Sequence, residues 1–401
     1  MAQQLEKAIA DQVSQMAIVA TGIFPESGKN AELEFFVSTL PDPTNIEEFQ
    51  NSLRVNSGKM ICKKNPKTAS SNRGTDLFGN HVEGVSGLDV ELEAGEGAMC
   101  SAQGLAIYAL RDGVAQIQTF TRPMVTANVK KNFTYKVSVS VVPLRVIISE
   151  EKINLTTNDA VEIRGNLKPG SSISSTSSII ITGNIEGQGY LSSGNSIIVQ
   201  GDVHDSNLVS QKDASIRGSI IGTSIISKEQ ARIGGSITKS RVFTDQAIDV
   251  RGNIDERSIV ISAETIAVAG NVDPSSHIES HDNIMVNGNV GNAELVSDKS
   301  IMVDGSISGG SLSAKDQVVI SGSIVGTNVV ADVIIAENAC GCKLIANNSI
   351  RVKNIVESPN EQPTEINIGT AHFSAKRLEQ NQLVISHAEQ SINKLGQYFG
   401  S

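Results

Sequence analysis

Tryptophan is absent from this 401-residue chain, and aromatic residues as a whole make up 3% of it. A thick globular interior leans on large rings, each of which buries ~150–250 Å². Here the core has to come from Ile, Val, Leu and Ala, which suits thin stacked layers. Cysteine is also scarce: Cys62, Cys100, Cys340 and Cys342 are too few and too unevenly placed for a disulfide framework. No run of ~18 apolar residues occurs, so no membrane span is expected. The opening MAQQLEKAIADQ has no apolar signal-peptide centre, which points to a cytoplasmic location. Positive charge is short too, with a net charge of −10. The one basic stretch, Lys59–Lys67, reads as a solvated loop. A phosphate-binding face needs clustered Lys and Arg, so no nucleic-acid partner is expected.

What the sequence has in abundance is glycine at a fixed interval. The phrase aliphatic-x-aliphatic-x-Gly-[Asn/Ser/Asp]-aliphatic recurs, with its glycine at Gly165, Gly183, Gly201, Gly218, Gly235, Gly252, Gly270, Gly288, Gly305 and Gly322. Every step is 17 or 18 residues. Within a unit the alternation has period two, the mark of a strand: Ile284, Val286 and Val290 would face one way, Met285 and Asn287 the other. A second inward position follows each glycine, held by Ile173, Leu191, Leu208, Ile225, Val242, Ile259 or Val260, Ile278, Leu295, Leu312 and Val329. A small residue comes two places later, as at Ser193, Ser210, Ser227 or Thr244.

Such short strands cannot bury an apolar face alone. Stacked unit on unit, they pair every backbone group and align the aliphatics as one dry column. The expected fold is mainly β: a parallel β-helix of about ten or eleven rungs, roughly 50 Å long at ~4.8 Å per rung. Eighteen is three times six, so the left-handed hexapeptide helix is the competing geometry. That fold wants a small residue and an aliphatic at every six-residue corner. Here one glycine per unit keeps register and the period drifts, which favours a right-handed β-helix with turns of uneven length.

The flanks differ in texture. Residues 1–150 read as an α+β domain leading into the helix of strands. Leu5, Ile9, Val13 and Met16 have helical spacing, 31–40 alternate like a strand, 46–54 look helical, and 117–150 are strand-rich. The repeat domain spans 151–356. Residues 357–401 hold a closing strand, TEINIGT, and a long helix. In that helix Leu378, Ile385, Ala388, Ile392 and Leu395 form a candidate interaction face, either a coiled-coil stub joining copies of the chain or a cap on the last rung.

Chemistry is hard to find. A carbohydrate-active β-helix enzyme needs converging carboxylates and aromatic sugar platforms, yet the repeat holds only Tyr190 and Phe243 as aromatics. The best metal candidate is His277, Glu279, His281 and Asp282, but two histidines four apart on a strand are ~13 Å distant. A solvated outer wall is the plainer reading. Cys340-x-Cys342 lacks the second pair a zinc site needs. No P-loop and no dinucleotide fingerprint follows a strand. No catalytic, cofactor-binding or metal residue is assigned, and the Asn residues after the glycines are read as a structural ladder.

Four stretches resemble the flagellar assembly protein A (FapA-like) family: RGTDLFGNHV (73–82), with Asn80 where the family often has Lys; YALRDG (108–113); the rungs at 183–210; and PTEINIGT (363–370). The resemblance implies an N-terminal domain, a right-handed β-helix and a C-terminal helical region. It also implies a non-enzymatic cytoplasmic scaffold or adaptor, working in polar flagellar assembly through contacts with other proteins, with the cell pole as its place. A bactofilin-like polymer, growing end to end through exposed rungs, is the alternative reading, and a carbohydrate-active enzyme the remote one.

Overall fold

The computed structural model of the chain describes residues 22–37, 54–70, 73–126, 129–357 and 362–369. The division into compact units falls between Leu144 and Arg145.

Within the first unit the described residues are β throughout. One antiparallel sheet runs in the order Glu32–Phe35, Met60–Asn65, Ala106–Ala109, Ala98–Cys100. A second, mixed sheet orders Arg54–Val55, Gly113–Thr126, Val129–Val142 and Glu91–Ala94. Period-two alternation turns Ala115 and Ile117 toward the same interior as Val137, Val139 and Val141, where they meet Ile61 and Ile107 of the first sheet. The expected α+β character is thus seen only in its β half. The helix expected at 5–16 and all but the last residue of the one expected at 46–54 lie outside the described residues; that last residue, Arg54, opens a strand instead.

The second unit is a parallel β-solenoid of about twelve turns. Each turn carries three short strands. In one turn they are Asn207–Ser210, Ala214–Ile216 and Ile220–Ile221, each in register with its counterparts above and below. The interior is a stack of Ile, Val and Leu side chains, most of them wholly removed from water. Ile173, Leu191, Leu208, Ile225, Val242, Ile278, Leu295, Leu312 and Val329 all point inward as expected. At the one undecided position it is Val260, at 0% exposure, that faces in, while Ile259 lies in the wall.

The drift between 17 and 18 residues has a single location. From Asn154 to Ile324 the start of each first strand is seven positions from the inward aliphatic of the second, and that aliphatic is six from the third. Only the corner leading from the third strand to the next turn changes length, as between Ile185 and Tyr190 or between Val203 and Asn207. Left-handed backbone collects there: Gln188, Asp205, Lys239, Glu256, Arg257 and Ser275 are every non-glycine residue with positive φ among those described. Extra chain goes where the backbone already makes its sharpest excursion.

Beyond Gly322 the spacing shortens, with Asn328 opposite Lys343 and Ile334 opposite Ile350, and the strands lengthen to Asn328–Cys340 and Lys343–Ile355. No glycine of the repeat phrase marks these turns, so a count based on that phrase falls short by them. The last described strand, Glu365–Ile368, lies in the TEINIGT stretch and pairs with Lys343–Ala346. The helix expected after it, with Leu378, Ile385, Ala388, Ile392 and Leu395, lies outside the described residues.

Candidate functional site

The ten repeat glycines form one column along the corner between second and third strands. Their backbones touch: the Gly252 amide donates to the Gly235 carbonyl at 3.1 Å, and the Gly270 amide to Gly252 at 3.1 Å. A Cβ on Gly252 would lie 2.5 Å from the Gly235 carbonyl carbon and 2.6 Å from the Ser236 nitrogen. The glycine is there for close approach between turns. Of the ten, only Gly165 needs positive φ.

The residue after each glycine builds a polar rail beside that column. Its side-chain oxygen accepts from the backbone N–H of the same position one turn on: Asn253 Oδ1 from Asn271 (2.9 Å), Asn271 Oδ1 from Asn289 (2.8 Å), Asn289 Oδ1 from Ser306 (2.8 Å). Asp202, Ser219, Ser236 and Ser306 serve the same purpose. An Asn ladder read from sequence therefore proves to be a mixed rail of side chain to main chain. Serines close the other two corners. Ser280 Oγ donates to the Glu264 carbonyl at 2.7 Å, and Ser240 Oγ accepts from the Thr223 amide at 3.0 Å.

The outer wall carries scattered ionisable groups. His277 Nδ1 lies 3.0 Å from Glu294 and its Nε2 3.4 Å from Glu279, whereas His281 pairs with Asp298 at 3.0 Å. The two histidines thus take different carboxylate partners. Among the described residues no group of three or more His, Cys, Asp or Glu has the arrangement of a metal site. Asp255 is pushed above the usual carboxylate range by burial and by Asp273, to which it is hydrogen-bonded. Next to them Gly291 leaves a shallow dent of about 470 Å³, lined also by Asp273, Asn289 and Ser308. Asp213, 5% exposed, is raised to about 6 by burial and by the nearby charge of Glu229. Cys342 is buried and unpaired with Cys340; its thiol donates to the Ile324 carbonyl at 3.3 Å.

Two loops of the first unit are held by side-chain hydrogen bonds. Strands Gly74–Thr75 and His81–Val82 make a small hairpin around Asp76. Asp76 Oδ1 accepts from the amides of Phe78 and Asn80, both at 2.8 Å, and Oδ2 accepts from Asn80 Nδ2 at 2.9 Å. These bonds, led by the one from the Asn80 side chain, hold the Asp76 carboxyl below its ordinary pKa. The YALRDG stretch is tied down as well. Asp112 accepts from the Ser57 amide at 2.7 Å, and Arg111 donates through Nε and Nη2 to the Val141 carbonyl. Sequence reasoning saw both phrases but not what they display, because exposure of Leu77 and Phe78 leaves no mark in hydrophobic periodicity.

Comparison with known families places both units. A model of the Flagellar Assembly Protein A N-terminal region matches residues 1–119, and one of the Flagellar Assembly Protein A beta solenoid domain matches 259–395. The chain belongs to the flagellar assembly protein A family. No curated protein and no solved structure matches it significantly. The N-terminal match takes in the Asp76 hairpin and the Arg111 loop. The solenoid match takes in the His277 turn, the two C-terminal cysteines and the closing strand. Turns before 259 lie outside it, yet they share the same three-strand plan and glycine column.

Proposed function

We propose that this chain is a non-catalytic scaffold or adaptor in flagellar assembly, a cytoplasmic protein that holds other proteins at the cell pole. The observation that carries this reading is the pair of family matches, one to each unit of the chain. The solenoid supports it physically. Its repeated plan serves self-support: inward aliphatics, a glycine column and hydrogen-bonded corners, with ionisable groups dispersed along the wall. Such a wall is stiff because each turn is fixed by the next. Among the described residues, no helix is long and apolar enough to cross a membrane.

The test is genetic and uses the full chain. Deleting the gene should lower the number of flagellated cells and swimming motility, and the intact chain should restore both. A fluorescent fusion should collect at one or both poles. Normal flagellation in the deletion strain would end the flagellar reading. Diffuse fluorescence in a complemented, motile strain would end the polar part alone.

A further inference from the structure

The aliphatic column inside the solenoid reaches its C-terminal end uncovered. The last described strand, Glu365–Ile368, sets Ile366 against Leu344 and Ile368 against Ala346. Leu344 and Ala346 are wholly buried members of the column, so Ile366 and Ile368 hold inward positions of the following turn. Yet they are 42% and 59% exposed. Ile350 and Val352, which end the column along the second strand, are only partly buried. On the third, Ile355 stands opposite the buried Ala339 and is 55% exposed. Each wall thus stops at an inward aliphatic, and among the described residues no further turn lies over them. None of these inward positions carries a charge.

We infer that the segment 370–401 of this same chain lies across the open end and seals it with Leu378, Ile385, Ala388, Ile392 and Leu395. The path of the chain names this occupant. The Gly369 amide still donates to the Ala346 carbonyl at 3.0 Å, so the segment starts from the uncovered turn itself. Gly369 leaves the strand at φ +132°, a conformation that residues with side chains rarely adopt. Leu378 follows nine residues later, a tether that holds the segment at the face at an effective concentration of ~mM. The five apolar positions recur at steps of three, four and seven, so a helix presents them as one stripe ~100° wide. The family's beta solenoid model supplies an independent sign: its match runs past the last described strand to residue 395. A second copy stacking end on end would use the open edge of Glu365–Ile368. The tethered segment occupies that place first, as the terminal cap of a stacked-repeat protein does. This inference goes beyond the scaffold reading, and its failure would leave that reading standing.

Hydrogen exchange read by mass spectrometry on the full chain tests the contact from both sides. One variant carries Ile366→Asp with Ile368→Asp, the other Ile385→Gln with Ile392→Gln. The first should speed exchange across 378–395 by at least about tenfold, and the second should do the same across Lys343–Gly369. Exchange from Ile225 to Val250, in the middle of the stack, should stay unchanged in both and serves as the folding control. In wild type the protection of 378–395 should hold constant over an about hundredfold range of protein concentration. An unprotected 378–395 in wild type, or unchanged exchange across it in the first variant, would overturn the inference. So would protection that grows with protein concentration, which would give the open end or the segment to a second copy.

Discussion

The solenoid and the N-terminal unit use apolar residues in opposite ways. Along the middle of the solenoid the inward aliphatics are sealed, while Val209, Ile226, Phe243 and Ile261 follow one another turn by turn on the outer wall, half-buried or exposed, and Tyr190 and Ile221 also show. Its exposed apolar groups otherwise gather at the two ends of the strand stack, at Val146 and Ile148 and at Ile355, Val356, Ile366 and Ile368. The N-terminal unit, with half the length, exposes Phe24, Leu77, Phe78, Val85, Met99 and Leu110 among others. In that unit the loops are held by local hydrogen bonds, which lets their apolar side chains stay outside.

Substitutions that attack the solenoid's interior should cost most. Ile237→Ala removes a wholly buried side chain whose neighbours above and below are held by their own registers. The cavity cannot collapse easily, and a loss of about 3–4 kcal/mol is expected in denaturant unfolding. If the loss were under about 1 kcal/mol, the stack would be softer than its packing implies. Glycines sharpen the contrast. Gly252→Ala drives a Cβ into backbone of the preceding turn and should cost about 3 kcal/mol. Gly58→Ala meets open space and should lose only the ~1 kcal/mol of a left-handed alanine. Equal melting shifts for the two variants would refute the close-approach account of the repeat glycine.

Asp213 gives the solenoid a pH signature. Its folded pKa of about 6 stands above the unfolded value near 3.8, so the native state favours the proton. Its stabilising contribution is therefore complete below pH ~4 and is lost as pH rises through about 6. Asp213→Asn should melt like wild type near pH 4 and be more stable by up to about 3 kcal/mol above pH ~7. A difference independent of pH would show that the carboxyl is not the source. The smallest effect is expected on the polar rail. Asn271→Ala deprives the Asn289 amide of its acceptor and should cost about 1 kcal/mol, with faster hydrogen exchange at Asn289 as the local readout.

The repeat was legible because its physics is one-dimensional. A side chain's neighbours are its own counterparts one turn away, so periodicity at 17 or 18 residues states the contacts directly. That is why the inward positions from Ile173 to Val329 could be read with one ambiguity, which the alternation of Ile259 and Val260 left open. The final turns were not legible by the same rule. The second and third strands already fuse at Gln317–Val325, all three run together in Asn328–Cys340 and Lys343–Ile355, and with no repeat glycine there the signal used for counting vanishes.

The sequence by itself determined the stacked β architecture, its interior and the likeness to the family, since each depends on residue order at short range or at one fixed interval. Only the tertiary structure decided where the period's slack resides, why glycine recurs, and which loop tips stand in solvent. Those depend on how closely two backbones approach and on what covers a side chain. Neither distance nor cover is written in a pattern of apolar residues.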